Sequence, residues 1–230
     1  VDHIQVRQAL DDCFEFFGGT VNTKYLVSAF NDDDCFDVDQ GYRGKNQFWF
    51  AIQEPGRKDN GGEWNGEPSG IAASNAPIAK YEIYNATWIG AGTNTSANNG
   101  LTIREYAAPR LYNSILTEFG GNAVRITDAR SGSLLTNGTL DIRDNLFWNF
   151  ATNGVPVNVA GSGASLLFND ASRSNEVVNP MLPRQKSARG WPASACVGAP
   201  TADIRVRKAL NLAIDRDAMV KLLNGLAAPA

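Results

Sequence analysis

The sequence predicts an all-β protein built as a parallel β-solenoid, followed by an irregular segment and one helix. The main observation is a repeat, since Asp-Asp-Cys-Phe-Glu-Phe at 11–16 returns 22 residues later as Asp-Asp-Cys-Phe-Asp-Val at 33–38. A period near 22 with a short strand and an acidic turn is typical of a solenoid, in which each coil returns the chain to the same place one rung higher. Equivalent residues are then expected to stack about 4.8 Å apart.

A second repeated element supports this fold class. Asparagine precedes an apolar, strand-like run five times, with intervals of 24, 39, 28 and 32 residues. Such intervals fit coils of a common core length with loops of different size, and asparagine tolerates the left-handed backbone of a tight bend. We expect the five amides to form one hydrogen-bonded column. They are Asn22, Asn46, Asn85, Asn113 and Asn145.

The pattern divides the chain into three parts. Residues 1–170 are predicted to form the β-helix, with glycine pairs marking its corners. Residues 171–201 are rich in proline and lack periodic strands, which indicates an irregular cover or a linker. Residues 202–230 change to a helical period, with apolar side chains such as Leu210, Ile214 and Leu222 on one face, so an amphipathic helix is expected there.

Composition excludes several functional classes. Charged residues make up 20% of the chain and the net charge is −3, so no basic patch favouring nucleic acid is expected. No apolar run reaches the 18 or so residues of a membrane span. The single histidine, His3, argues against a histidine-based zinc centre or a Ser/His/Asp triad. Because the chain opens at Val1 rather than Met, we interpret it as a processed or trimmed product.

The cysteines give limited information. Cys13 and Cys35 occupy the same position of the 22-residue repeat and should lie on adjacent rungs. A disulfide between them is conceivable, but stacked parallel strands are not its favoured geometry, so two buried free thiols are the preferred interpretation. Cys196 lies in a Pro/Gly/Ala-rich stretch and has no identifiable partner.

The repeat also aligns acidic residues. Its register places Glu15 next to Asp37, with Glu63 in the same column one coil further. The preferred interpretation is a solvated acidic face, and two alternatives remain open. Stacked carboxylates near 5 Å apart match those of retaining glycosidases, which makes these three residues catalytic candidates. The acidic turns could also hold Ca²⁺ as a cofactor. The candidate calcium ligands are Asp33, Asp34, Asp37 and Asp39.

Aromatic residues suggest a different kind of site. Exposed rings beside polar groups suit a sugar ring, and the candidate binding residues are Tyr42, Arg43 and Trp64. Trp64 is the strongest candidate because it lies in a glycine-rich stretch. Packing in the core is nevertheless the preferred interpretation for most of the aromatic side chains.

Three segments carry a resemblance to a known family: Asp-Asp-Cys-Phe-Glu-Phe-Phe-Gly-Gly-Thr-Val-Asn at 11–22, Asp-Asp-Cys-Phe-Asp-Val-Asp-Gln-Gly-Tyr-Arg-Gly-Lys at 33–45 and Gln-Phe-Trp-Phe-Ala-Ile-Gln at 47–53. They resemble bacterial exported or surface-attached right-handed β-helix proteins, which are often lipoproteins. Looser matches extend this similarity over residues 1–185. The resemblance implies a right-handed parallel β-helix and export from the cell. It implies no catalytic residues.

The C-terminal residues carry another resemblance. Residues 203–230 have the sequence Asp-Ile-Arg-Val-Arg-Lys-Ala-Leu-Asn-Leu-Ala-Ile-Asp-Arg-Asp-Ala-Met-Val-Lys-Leu-Leu-Asn-Gly-Leu-Ala-Ala-Pro-Ala. This segment is similar to a helix of the periplasmic substrate-binding proteins of peptide ABC transporters. The two lobes that form a peptide cleft in those proteins are missing, so the resemblance does not carry transport function to the chain.

These observations lead to a functional expectation. We expect a secreted or cell-surface bacterial β-helix protein, with the periplasm as the alternative location. It would be of structural or binding type, with a glycan or another surface component as partner. The alternative is a polysaccharide lyase or glycosidase that uses the stacked carboxylates. Because Val1 falls within the repeat, the first coil should expose strand edges and apolar side chains. We therefore expect a homo-oligomer or a subunit of a larger assembly.

Overall fold

The structure, a computed structural model, describes residues 1–67, 77–93, 98–151 and 153–182. Within these ranges the chain forms a parallel β-helix, as predicted, in which each named strand pairs in parallel with the equivalent strand of a neighbouring coil. The strands fall on three faces. Face 1 contains β2 (Phe14–Phe17), β4 (Phe36–Asp39), β7 (Gly62–Asn65), β10 (Leu101–Arg104), β13 (Val124–Ile126) and β16 (Val159–Gly161).

The other two faces share their first strands. β1 (Asp2–Arg7) pairs with β3 (Thr23–Ala29). The start of β3 pairs with the first strand of face 2, and the end of β3 pairs with the first strand of face 3. Face 2 contains β5 (Lys45–Gln47), β8 (Glu82–Tyr84), β11 (Arg110–Tyr112) and β14 (Asp141–Arg143). Face 3 contains β6 (Phe50–Ile52), β9 (Thr87–Ile89), β12 (Ile115–Phe119), β15 (Leu146–Phe150) and β17 (Glu176–Val177).

Strand alternation decides which side chains fill the interior. In β4, Phe36 and Val38 point inward and are fully buried, while Asp37 and Asp39 lie on the outer surface. The Trp49 ring stacks on Phe36 at 4.4 Å and on Phe16 at 5.6 Å between centroids. Aromatic stacking across coils therefore fills the core, which confirms the preferred interpretation of most rings.

The predicted single column of asparagines is wrong. Asn85 and Asn113 do stack, and the Asn113 side chain donates a hydrogen bond to Asn85. Both have positive φ, at the corner between faces 2 and 3. Asn46 instead lies inside β5, where its Oδ1 accepts from the Thr23 hydroxyl at 2.7 Å. Asn145 bonds to Asn175, at 3.1 Å between side chains. Asn22 pairs with the Lys45 backbone N–H at 2.8 Å.

The reason for this error is that the same sequence pattern serves several positions of the coil. Asparagine followed by an apolar run occurs before face 2, inside face 2 and at the corner after it. Residues other than asparagine also occupy that corner with positive φ, including the aromatic residues Tyr25 and Phe48. The pattern therefore identifies bends and strand starts, but not their register.

Short helices interrupt the coils. α1 (Ala129–Thr136) lies between β13 and β14, and its first backbone N–H groups donate to the Asp128 carboxylate. The sequence analysis missed this helix, which is only 8 residues long. α2 (Leu166–Asn169) and a 3-10 helix (Ala171–Arg173) precede β17. None of the helices in the described ranges is long and apolar enough to cross a membrane.

The parallel ladder extends past residue 170. β17 pairs with β15 through Glu176 and Val177, within the segment that was expected to be irregular. The predicted C-terminal helix at 202–230, like most of the 171–201 segment, lies outside the described residues. At the other end of the solenoid, Leu10 is 83% exposed and Phe17 is 60% exposed. Association through this end remains a prediction.

Candidate functional site

Three carboxylates form a column on the outer surface of face 1, which we call the acidic strip: Glu15, Asp37 and Glu63. Parallel pairing aligns Glu15 with Asp37 and Asp37 with Glu63 on successive coils. This is the register inferred from the 22-residue repeat. Glu15 is exposed, Asp37 is buried and Glu63 is half-buried. The next residues along the column are Thr102 and Arg125, so the acidic character ends after three coils.

Asp37 is the most perturbed group of the strip. Its side chain is only 9% exposed, and its Oδ1 atom has no hydrogen-bond partner among the described residues. Burial, together with the nearby charges of Asp12 and Glu63, raises the pKa of Asp37 to about 7. The carboxyl group can therefore take up and release a proton near neutral pH, as a general acid or base must.

The two neighbours of Asp37 differ in environment. Burial and the charges of Asp11 and Asp39 raise the pKa of Glu15, which is nevertheless exposed. Glu63 forms an ion pair with Arg104, and Arg104 Nε also donates to Asn65 Oδ1 at 2.5 Å. The strip thus combines an exposed carboxyl, a buried carboxyl with a raised pKa, and a carboxylate held by arginine.

A second column of side chains lies in the turn before each face 1 strand, which we call the Asx ladder. Each member except the last, Asn158, accepts hydrogen bonds from the next coil, with Asp34 N–H donating to Asp12 at 2.9 Å and Asn60 N–H to Asp34 at 2.6 Å. The amides continue the column through the side chains of Asn99, Asn122 and Asn158. The ladder members are Asp12, Asp34, Asn60, Asn99, Asn122 and Asn158.

Burial is the main cause of the raised pKa values of the two aspartates in the Asx ladder, Asp34 and Asp12. It raises the pKa of Asp34 to about 9, with contributions from the charges of Asp59 and Glu63. It also raises the pKa of Asp12 to about 7. Asp34 is therefore protonated at neutral pH and fits the ladder as a neutral group, much as the asparagines above it do.

The candidate calcium ligands do not converge on one point. Asp33 and Asp34 group with Asp59, whereas Asp37 groups with Asp12 and Glu15, and within each group the potential ligand atoms lie within 4.8 Å of one another. A further group consists of Asp11, Asp12 and Asp33. Asp39 belongs to none of these three groups. The predicted set of Asp33, Asp34, Asp37 and Asp39 is thus divided between separate acidic clusters.

Residues 1–179 match the family of pectate-lyase-like β-helix domains. The chain belongs to this family. No curated protein and no solved structure matches it. The family explains the stacked strands and the aligned outer columns of this β-helix domain, but it does not by itself assign a role to any of their residues.

Two of the candidate binding residues of this β-helix domain are buried, so the expectation that they expose their rings is wrong. Tyr42 and Trp64 are both 0% exposed. The single hydroxyl proton of Tyr42 is shared between the Val21 carbonyl at 2.7 Å and Asn46 Oδ1 at 2.8 Å, and the Trp64 ring packs edge-on against Trp88 at 5.8 Å. The physical reason is alternation, because Glu63 points outward and its neighbour Trp64 must point inward. Arg43 is exposed, but it precedes face 2 rather than the acidic strip.

The candidate residues omitted Asp12, Asp59 and Arg104. Asp12 was recognisable, since it occupies the same place in the repeat as Asp34. Arg104 was not, because the 41 residues that separate it from Glu63 include loops of unequal length. Only the three-dimensional register brings its guanidinium to the strip.

Proposed function

We propose that the protein binds a polysaccharide along face 1, with Asp37 at the centre of the contact. The observation that carries this proposal is the environment of Asp37, which lies between Glu15 and Glu63 with a pKa of about 7 and an oxygen that has no partner among the described residues. Buried polar groups that serve only the fold are usually satisfied. Membership of the pectate-lyase-like β-helix family supports a polysaccharide as the ligand.

The charge of the strip indicates which polysaccharides suit it. Carboxylates such as Glu15 and Glu63 accept hydrogen bonds from sugar hydroxyl groups, and Arg104 beside Asn65 adds donors at the same surface. An anionic polymer would be repelled by the column of carboxylates. A neutral or amino-bearing glycan is therefore the proposed ligand of face 1, and a location outside the cell or at its surface would fit that ligand.

Binding can be tested by affinity electrophoresis through gels that contain neutral polysaccharides or chitosan, an amino-bearing glycan. We expect retardation of the native protein and a loss of retardation in Glu15→Gln and Asp37→Asn. Asp144→Asn, which changes an exposed residue at the corner between faces 2 and 3, is the control and should behave as the native protein. Unretarded native protein in all these gels would contradict the proposal.

Cleavage of the bound glycan is the second candidate function. The closest oxygens of Asp37 and Glu15 lie within 4.8 Å, nearer to the separation of about 5 Å in retaining glycosidases than to that of inverting ones. In this reaction Asp37 would give its proton to the glycosidic oxygen as the bond to the leaving sugar breaks. Glu15 would attack the anomeric carbon, and water would then release the product with retention of configuration.

Product release distinguishes the two functions. If the protein cleaves the glycan, new reducing ends should accumulate with the native protein and disappear with Asp37→Asn. Proton NMR of the first product would show the retained anomer. Binding without any increase in reducing ends would leave binding as the function and remove cleavage.

A further inference from the structure

Two columns of side chains point outward from the first two strands of face 1. One column contains Glu15 and Asp37 and the other contains Phe17 and Asp39, because β2 and β4 pair in that register. Phe16, between Glu15 and Phe17 in the sequence, points inward and stacks on a buried tyrosine ring at 4.7 Å between centroids. The start of face 1 therefore presents one aromatic ring beside three carboxyl groups.

Phe17 differs from the aromatic residues of the core. Its side chain is 60% exposed, and among the large hydrophobic residues that are exposed in the described ranges it is the only aromatic one. Stacked rings fill the interior of the described coils, but Phe17 belongs to none of those ring pairs. An open ring face is apolar and can cover the C–H face of a sugar ring. Phe17 thus offers a stacking surface to a ligand.

The carboxyl groups beside this ring lack a cationic partner. Asp12, Glu15 and Asp37 each bring one carboxyl oxygen within 4.8 Å of the others. None of the three takes part in an ion pair within the residues that the structure describes. The Asp37 side chain is only 9% exposed, and its Oδ1 atom has no hydrogen-bond partner there. Glu63 differs, because Arg104 already neutralises it.

The sequence around this cluster supplies no cation to it. Residues 11–39 contain acidic residues in both of their coils and a single cation, Lys24. Lys24 lies in the part of β3 that pairs with face 2, and its ammonium group lies over the rings of Tyr25 and Phe48. Like charges at close spacing repel one another. A cationic ligand would therefore bind here more favourably than a neutral one, since its charge offsets this repulsion.

We propose that the start of face 1 is a subsite for an amino sugar, with the sugar ring stacked on Phe17 and its ammonium group held by Glu15 and Asp37. The inference rests on the proposed binding of a glycan at face 1, and it names the class of that glycan as a linear polysaccharide of hexosamine units with free amino groups. Residues i and i+2 of a strand lie about 7 Å apart on the same face, so one sugar residue can reach from the Phe17 ring to the Glu15 carboxylate. An ammonium group donates three hydrogen bonds, which suits a cluster of acceptor oxygens.

The experiment compares a glucosamine oligomer with its N-acetylated counterpart of the same length, by isothermal titration calorimetry of the full chain. Chelator is present, so that no divalent cation occupies the carboxylates. The two ligands share their rings and linkage and differ in the charge of the amino group. The test variants are Phe17→Ala, Phe17→Trp and Glu15→Gln. Thermal unfolding of each variant establishes that it is folded.

Two control variants match these changes elsewhere on the surface. Val21→Ala shortens an exposed apolar side chain that follows β2 and lies outside face 1. Asp144→Asn removes an exposed negative charge at the corner between faces 2 and 3. Both controls should bind the glucosamine oligomer as the native protein does.

We expect the glucosamine oligomer to bind about tenfold more tightly than the N-acetylated one, since only its ammonium groups form charge-assisted hydrogen bonds with the carboxylates. Phe17→Ala should weaken binding roughly fivefold, and Phe17→Trp should retain it because the larger ring preserves the stacking surface. Glu15→Gln should reduce the preference for the glucosamine oligomer. Binding of this oligomer should also weaken as salt rises, because surface charges are screened over shorter distances.

Equal binding of the two oligomers would overturn this inference and leave the proposed glycan binding at face 1 in place. Unchanged binding in Phe17→Ala, or equal weakening by Asp144→Asn, would overturn it as well, because the attraction would then be a general effect of an acidic surface. Failure of both oligomers to bind would also overturn it, and the electrophoresis with neutral polysaccharides would then decide the proposed function separately.

Discussion

Asp34 accepts two hydrogen bonds from Asn60, one from the backbone nitrogen at 2.6 Å and one from the side-chain nitrogen at 3.0 Å. Both donors converge on the same carboxyl oxygen, which is buried in the turn before face 1. Hydrogen bonds of this kind lower a carboxyl pKa, yet burial outweighs them and raises the pKa of Asp34 to about 9. The ladder thus holds a protonated aspartate at a position where its other members are mostly amides.

This relationship predicts how stability depends on pH. An unfolded aspartate has a pKa of about 3.9, so between that pH and 9 the folded state binds more protons at Asp34 than the unfolded state. The free energy of unfolding should therefore fall as pH rises, by about 1.4 kcal/mol per pH unit from this group alone. Asp12 and Asp37, whose pKa values are about 7, contribute in the same direction, and their contribution fades between pH 7 and 8.

From pH 7 to 8 Asp34 contributes most of the slope and Asp12 and Asp37 contribute a smaller share, and urea unfolding at both values measures the slope. Asp34→Asn should flatten the decline, because an amide has no proton to lose and can still accept from Asn60. Asp144→Asn, at an exposed corner, is the control and should keep the native slope. An undiminished slope in Asp34→Asn would show that another group controls stability in this window.

Asn60 is predicted to be the most sensitive amide of the ladder. Besides its two bonds to Asp34, its Oδ1 accepts from the Asn99 side chain at 3.1 Å and from the Thr102 hydroxyl at 3.0 Å. Asn60→Ala leaves several of these buried groups without partners, which should cost about 2–4 kcal/mol. The thermal midpoint should fall by about 5–10 °C, while Asn153→Ala at an exposed site should leave it unchanged. A shift of a degree or less in Asn60→Ala would argue against the ladder as a stabilising element.

Sequence reasoning identified the fold and the pairing of Glu15 with Asp37, because the first two coils repeat without an insertion. The same reasoning failed for the Asx ladder, whose members are separated by 22, 26, 39, 23 and 36 residues and change from aspartate to asparagine. The inward position of Trp64, by contrast, followed from Glu63 and could have been predicted.

Calcium is predicted to stabilise the protein modestly. Asp12, Glu15 and Asp37 offer three carboxylate oxygens within 4.8 Å of one another, and a cation bound only by the folded state would offset their repulsion. Differential scanning fluorimetry should show a midpoint a few degrees higher in millimolar Ca²⁺ than in chelator. Glu15→Gln should reduce this difference, whereas Asp39→Asn, outside the three acidic groups, should not. Equal midpoints with calcium and chelator would eliminate the site.

The thiols of Cys13 and Cys35 are predicted to be inert in the folded protein. Both are free and buried, and burial raises the pKa of Cys35 to about 12 and also raises the pKa of Cys13. Because the thiolate is the reactive form, a buried thiol with a raised pKa reacts only when the fold opens. The experiment uses a Cys196→Ser background, so that only these two thiols can react with a colorimetric disulfide reagent.

We expect no labelling of that variant under native conditions at pH 8 and two labelled thiols per chain in denaturant. Adding Asn60→Ala should speed native-state labelling of Cys35, whose backbone N–H donates to the Asn60 carbonyl at 3.1 Å, because a weakened ladder opens more often. Faster labelling of Cys35 in this variant than in Asn153→Ala would connect the ladder to local opening of the core. Rapid labelling before any denaturant is added, or recovery of fewer than two thiols in denaturant without reductant, would contradict the expectation of buried free cysteines.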